Sequence, residues 1–194
     1  MVDWRRGPAL AVAAPLWLWG CAATVYPPRD VAEPAAVGIL DHGRHTSLIV
    51  AVPEGMIRYS YGDWNWYALR RTGPIEGTGA LLWPTKAGLG RRQLSGPFSP
   101  EAVSEQVRVA IEEAVYLTVE RPALHRLVAR LDGIFEQNRA AAVYNEPYDL
   151  WFVPHPVPYS LAHNSNGMVA AWLEQLGCRV EGTPLFAIWR LGRD

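Results

Sequence analysis

The chain reads as an α+β domain, an antiparallel sheet with helices packed on it, and three observations lead there. Strand-like runs at 37–40, 46–52 and 56–61 follow one another with only short turns between them, the pattern of a meander rather than of strands joined by crossover helices. The stretches 122–135 and 165–176 space their apolar residues helically. A last apolar run, 185–191, reads as a closing strand.

In chain order, the amino terminus comes first. Arg5 and Arg6 precede an apolar run over 8–19, interrupted by Pro15, and Leu18-Trp19-Gly20-Cys21 follows. This resembles a bacterial lipoprotein signal, in which the cysteine becomes the acylated first residue. On that reading 1–20 is a signal peptide, Cys21 is the lipidation site, 21–36 is a proline-rich tether and 37–194 is one domain. The alternative is an uncleaved anchor, but the apolar run is shorter than the roughly 20 residues that a spanning helix needs.

The meander carries His42-Gly43 in its first turn, and His45 opens its second strand. Residues 71–100 are rich in glycine and proline around the island Ala80-Leu81-Leu82-Trp83, which predicts a long excursion, a small helix or a lid. Ser99-Pro100-Glu101 is a helix start, with a cap residue followed by a proline suited to the first turn. Residues 116–119 read as a strand. The helix over 122–135 places Leu124, Leu127, Val128, Leu131 and Phe135 on one face for packing. Residues 143–153 read as irregular with some strand character, and Pro154-His155-Pro156-Val157-Pro158 as a stiff lead into the last helix, which Gly177 closes.

Composition narrows the function. A net charge of −1 over 194 residues, with Arg70-Arg71 and Arg91-Arg92 as the basic pairs, argues against nucleic acid, and those pairs read as solvated loop charges. With Cys21 lipidated, Cys178 has no partner and reads as a small packed residue. His42, His45, His155 and His163 lack metal-ligand spacing, so no metal is expected. No glycine-rich phosphate loop follows a strand, so no nucleotide cofactor is expected either.

The chemistry concentrates at His163-Asn164-Ser165-Asn166, where a turn enters the helix. Backbone N–H groups at a helix start stabilise an anion and serve as an oxyanion hole, which makes Ser165 a candidate nucleophile. His45 is the candidate base. Asp63, in Tyr61-Gly62-Asp63-Trp64, either orients that histidine or caps a turn. His42 reads as a turn residue, His163 as a loop hydrogen-bond partner, His155 as surface or supporting, and Asn164 and Asn166 as helix caps or carbonyl-polarising groups. Trp64, Trp66, Trp83 and Trp151 either line an acyl or sugar groove or complete a core.

On His42-Gly43-Arg44-His45-Thr46, Tyr61-Gly62-Asp63-Trp64-x-x-Tyr67, Pro158-Tyr159-Ser160 and Asn164-Ser165-Asn166, the chain resembles an uncharacterised, urease-associated type of bacterial lipoprotein, from about residue 37 to residue 190. More distantly it is similar to circularly permuted papain-like proteins of the NlpC type and to lecithin retinol acyltransferases. The resemblance implies a permuted papain-like fold, His45 as base and the 165 position as nucleophile. It also implies an envelope ligand such as a peptidoglycan peptide or a lipid, with the outer membrane as the guessed location. Those relatives carry cysteine where this chain has Ser165. A thiol near pKa 8.5 ionises beside a histidine, whereas an alcohol must lose its proton during attack. Two functions follow. One is a lipid-anchored, catalytically impaired binding or scaffolding protein, the reading preferred on sequence. The other is a hydrolase or acyltransferase acting on an amide or ester, with Ser165 attacking and His45 as base.

Overall fold

A computed structural model describes residues 22–71, 83–160, 163–184 and 187–193. The expected signal peptide and Cys21, residues 72–82 of the glycine-rich excursion and residues 185 and 186 of the expected closing strand lie outside these residues. The architecture is α+β, mostly antiparallel sheet with few helices, as the sequence predicts.

The meander forms as read. Strands β2 (Pro34–Asp41), β3 (Thr46–Val52) and β4 (Gly55–Asp63) pair antiparallel in sequence order. Strand β5 (Thr85–Leu94) extends the sheet beyond β4, and β6 (Glu113–Glu120) pairs with β2 on the other side. Strands β7 (Val143–Asn145) and β8 (Leu150–Tyr159) complete seven strands in the order β6-β2-β3-β4-β5-β8-β7.

Strand alternation gives the sheet two buried faces. One carries Ile39, Leu48, Val50, Ile57, Tyr59, Tyr61, Leu89 and Val153 against the two long helices. The other carries Leu40, Ile49 and Met56 against helix α1 (Pro100–Gln106), and Leu150 and Phe152 against a π-helical turn at Trp64–Ala68. Ser99 caps α1 by accepting from the Ala102 N–H, with Pro100 at the first position, as expected.

Helix α2 (Arg121–Gln137) buries Leu124, Leu127, Leu131 and Phe135. Helix α3 (Ser165–Gln175) buries Trp172 fully beside Tyr59. Gly177 ends α3 with φ of +86°, while the Cys178 N–H reaches back to the Leu173 carbonyl, a left-handed cap that glycine adopts without strain. Cys178 is free and buried, and burial pushes its thiol up to about 12.

Three expectations are corrected. Residues 21–36 are not a continuous tether. Strand β1 (Ala23–Tyr26) runs parallel to β10 (Trp189–Leu191) and antiparallel to β9 (Arg179–Glu181), with Ala23 and Val25 wholly buried, and β2 already begins at Pro34. The described part of the glycine-rich excursion is a ten-residue strand, because Gly88 and Gly90 of β5 lie under the rings of Trp64 and Phe152, where a larger side chain would crowd them. The proline run is the end of β8. Pro154, Pro156 and Pro158 alternate, and they lie past the last β7 partner, so their missing donors fall on one open edge.

Candidate functional site

Asn164 caps α3, its side chain accepting from the Gly167 N–H at 2.8 Å. This holds Ser165 at the first turn, where the sequence places it, and turns it inward: Ser165 is 2 % exposed. Its hydroxyl donates to Asn166 Oδ1 at 3.4 Å. The same oxygen accepts from the Thr46 hydroxyl at 2.8 Å, and Thr46 Oγ1 accepts from the Trp189 indole N–H at 2.9 Å. All four residues are buried, so this polar chain ties α3, β3 and β10 together in the interior. An amide oxygen is a neutral acceptor and takes no proton from an alcohol at neutral pH, so among the described residues Ser165 hydrogen-bonds to no base.

His45 is turned elsewhere. Thr46, one residue on, presents its hydroxyl to Asn166 beneath α3, and adjacent positions of a strand point to opposite faces. The His45 ring accordingly meets Tyr67 edge-on, with centroids 4.9 Å apart. Tyr67 packs with Phe152 on the far side of the sheet, in the space that a side chain on Gly62 would need. Among the described residues no hydrogen bond joins His45 to Ser165. Asp63 is engaged as well. One carboxylate oxygen accepts from the Trp66 N–H at 2.8 Å and caps the π-helical turn, and the other accepts from the Thr85 hydroxyl. The capping alternative describes Asp63, and among the described residues no hydrogen bond links Ser165, His45 and Asp63 as a triad.

The remaining candidates resolve residue by residue. Asn166 is a buried acceptor rather than a cap. His163 closes the turn before α3 by exchanging backbone hydrogen bonds with Ser160. His155, read as surface or supporting, is buried against Tyr61, its Nδ1 accepting from the Val157 N–H at 3.1 Å. Trp64 is buried under the ammonium of Lys86, 4.6 Å from its ring, and so completes a core. Arg91 and Arg92 are not loop charges but β5 residues paired with Asp132 and Asp149.

His42 has the richest surroundings of the histidines. Its Nδ1–H donates to the Ala110 carbonyl at 2.8 Å, which leaves Nε2 to accept from the Ser47 hydroxyl at 2.8 Å. Ser47 Oγ also accepts from Arg58 Nε at 3.1 Å, and Arg58 Nη1 donates to the Tyr148 carbonyl. Order of contacts alone makes this a nucleophile, base and orienting carbonyl. Ser47, however, is wholly buried and Arg58 is 2 % exposed, so the cluster braces the β2–β3 turn against β4. Sequence reading passed over it, although an arginine at the centre of the apolar run 56–61 was a visible signal that a buried polar partner waits there.

Burial, and then the charge of Arg58, lower the His42 pKa to about 4, and burial, then Arg44, lower that of His45 to about 4. In the unfolded chain both titrate near 6.5. The folded state therefore binds fewer protons between those values, and stability is full above about pH 6.5 and falls as pH drops toward 4. Asp41, raised mainly by burial, opposes this at the acid end. Unfolding by urea at pH 7, 6 and 5 is expected to show a steady loss of stability, and replacing both His42 and His45 by glutamine is expected to reduce the slope to the part left by His155, which burial also lowers. An unchanged slope would contradict the assignment.

Among the described residues no three His, Cys, Asp or Glu side chains come together to hold a metal ion, and no helix is long and apolar enough to cross a membrane. No family model matches the chain, and neither does any curated protein or solved structure.

Proposed function

We propose that the chain is a lipid-anchored binding or scaffolding protein of the bacterial cell envelope, built on a permuted papain-like arrangement and without catalysis at Ser165. One observation carries this reading: the Ser165 hydroxyl is buried and spent on Asn166, while the His45 ring packs edge-on against Tyr67. The arrangement itself is supported by the order of its parts, a histidine strand before a helix that begins at the nucleophile position and packs on the central strands β3 and β4. Lipidation rests on the sequence around Cys21, and it joins the membrane to the domain at β1.

The test uses the full chain expressed in a bacterium with labelled palmitate. Label is expected in the native chain and absent from Cys21→Ala. In the same membranes a fluorophosphonate probe, which reacts with activated serines, is expected to leave the protein unmarked at Ser165. Labelling of the native chain that is lost in Ser165→Ala would overturn the non-catalytic reading and favour the hydrolase or acyltransferase. A native chain without palmitate would overturn the anchor.

A further inference from the structure

Helix α2 does not lie flush on the sheet along its whole length. Three clefts follow its flank and share lining residues: one at Arg121 and His125, a second from Pro53 to Asp132, and a third at its carboxyl-terminal end. The third, of about 530 Å³, is lined by Arg91, Arg92, Gln93, Phe135, Arg139 and Trp151, and by Ala142. It shares no residue with the Ser165 network, and its volume falls in the ordinary range of small-ligand sites.

The chemistry of this cleft is specific. Trp151 is 49 % exposed and leans on Tyr144, with ring centroids 5.2 Å apart, leaving a flat aromatic surface open to solvent. Phe135 lies between the guanidiniums of Arg91 and Arg139, 5.7 and 5.9 Å from its centroid. Each arginine is clamped from one side by a carboxylate. Arg91 places Nε and Nη2 on Asp132 at 2.7 and 3.2 Å, and Arg139 places Nε and Nη2 on Glu136 at 2.6 and 2.5 Å. Arg92 places Nη1 on Asp149.

A guanidinium carries five N–H donors, so each fork keeps donors to spare. Nη1 of Arg91 and Nη1 of Arg139 make no hydrogen bond among the described residues, and Arg92 Nε is buried without a partner. Carboxylates behind the forks fix their orientation and hold the local charge near neutral. That combination disfavours a long polyanion and favours a compact ligand with one to three anionic groups. Planar forks match carboxylate and phosphate oxygens, and an exposed indole beside them offers a face for the C–H side of a pyranose ring.

We propose that this cleft binds an anionic saccharide, a sugar bearing a carboxylate or a phosphate, with Trp151 under the ring and Arg91 and Arg139 on the charged substituent. Calorimetric titration of the full chain with trigalacturonate, with the neutral trisaccharide maltotriose and with galactose 6-phosphate tests it. Trigalacturonate or the sugar phosphate is expected to bind at least tenfold more tightly than maltotriose, and which of the two binds assigns carboxylate or phosphate. Trp151→Ala and Arg139→Gln, both at exposed positions and checked for unchanged melting, are each expected to weaken binding about tenfold or more. Equal binding of maltotriose, no binding of either anionic sugar, or unchanged affinity in Trp151→Ala would overturn the proposal.

Discussion

Replacing Asp149 with asparagine is expected to lower the stability of the fold by about 3 kcal/mol, the lower end for stripping one partner from a buried ion pair. Asp149 is wholly buried. Its carboxylate accepts from Arg92 and from the Tyr144 hydroxyl at 2.7 Å, with Arg108 Nε at 3.8 Å. It is the anion beside a group of guanidiniums that includes Arg58, whose own pKa falls to about 10 through burial and the charge of Arg92. Asparagine keeps the shape and tolerates the residue's φ of +52°, so the variant tests charge rather than backbone strain. For a chain of this size the melting temperature should fall by roughly 6 to 12 °C. Adding Arg92→Met to Asp149→Asn should recover part of the loss, because the stranded cation is then removed as well. A single variant that melts like the native chain would show that water reaches Arg92 freely.

Trp172→Ala is expected to cost about 3 to 5 kcal/mol, the range for emptying a large aromatic site in a core. The side chain is wholly buried on the face of α3 that meets Tyr59, in the main cluster with Leu48, Val50 and Leu173. Among the described residues its indole N–H has no hydrogen-bond partner. Trp172→Phe therefore separates two effects. It keeps most of the packing and deletes an unsatisfied donor, whose burial costs about 1 to 3 kcal/mol, so its stability should fall within about 1 kcal/mol of the native chain. Urea midpoints of the two variants decide the matter. A phenylalanine variant as weak as the alanine one would mean that the indole makes a contact beyond packing.

Much of the fold was legible because local signals and tertiary packing agreed. The β2–β4 meander is three apolar runs parted by short turns, α1 carries a serine cap with proline behind it, and α2 and α3 keep their apolar faces. Strand β5 was not legible. Its glycines serve rings that arrive from Trp64 and Phe152, and its arginines are neutralised by Asp132 and Asp149, partners that no window around residue 90 contains. The site failed for a subtler reason. Alternation shows that His45 and Thr46 face opposite ways without showing which of them lies beneath α3. Thr46 does, donating to Asn166, while the His45 imidazole packs against Tyr67. The prolines of β8 misled in the same manner, since their missing donors matter only where a neighbouring strand needs them.

Strand β1 has a consequence in time. Its two partners, β9 and β10, are the last of the described strands to be made, and Ala23 is held against Ile188 and Trp189. Closing so long a loop is slow and unrewarded until its final contacts form. While the carboxyl end is still in the ribosome, β1 lacks the two strands it pairs with. For the exported, lipid-anchored protein proposed above, that delay would keep the chain threadable, because what is threaded through a membrane must not have folded first.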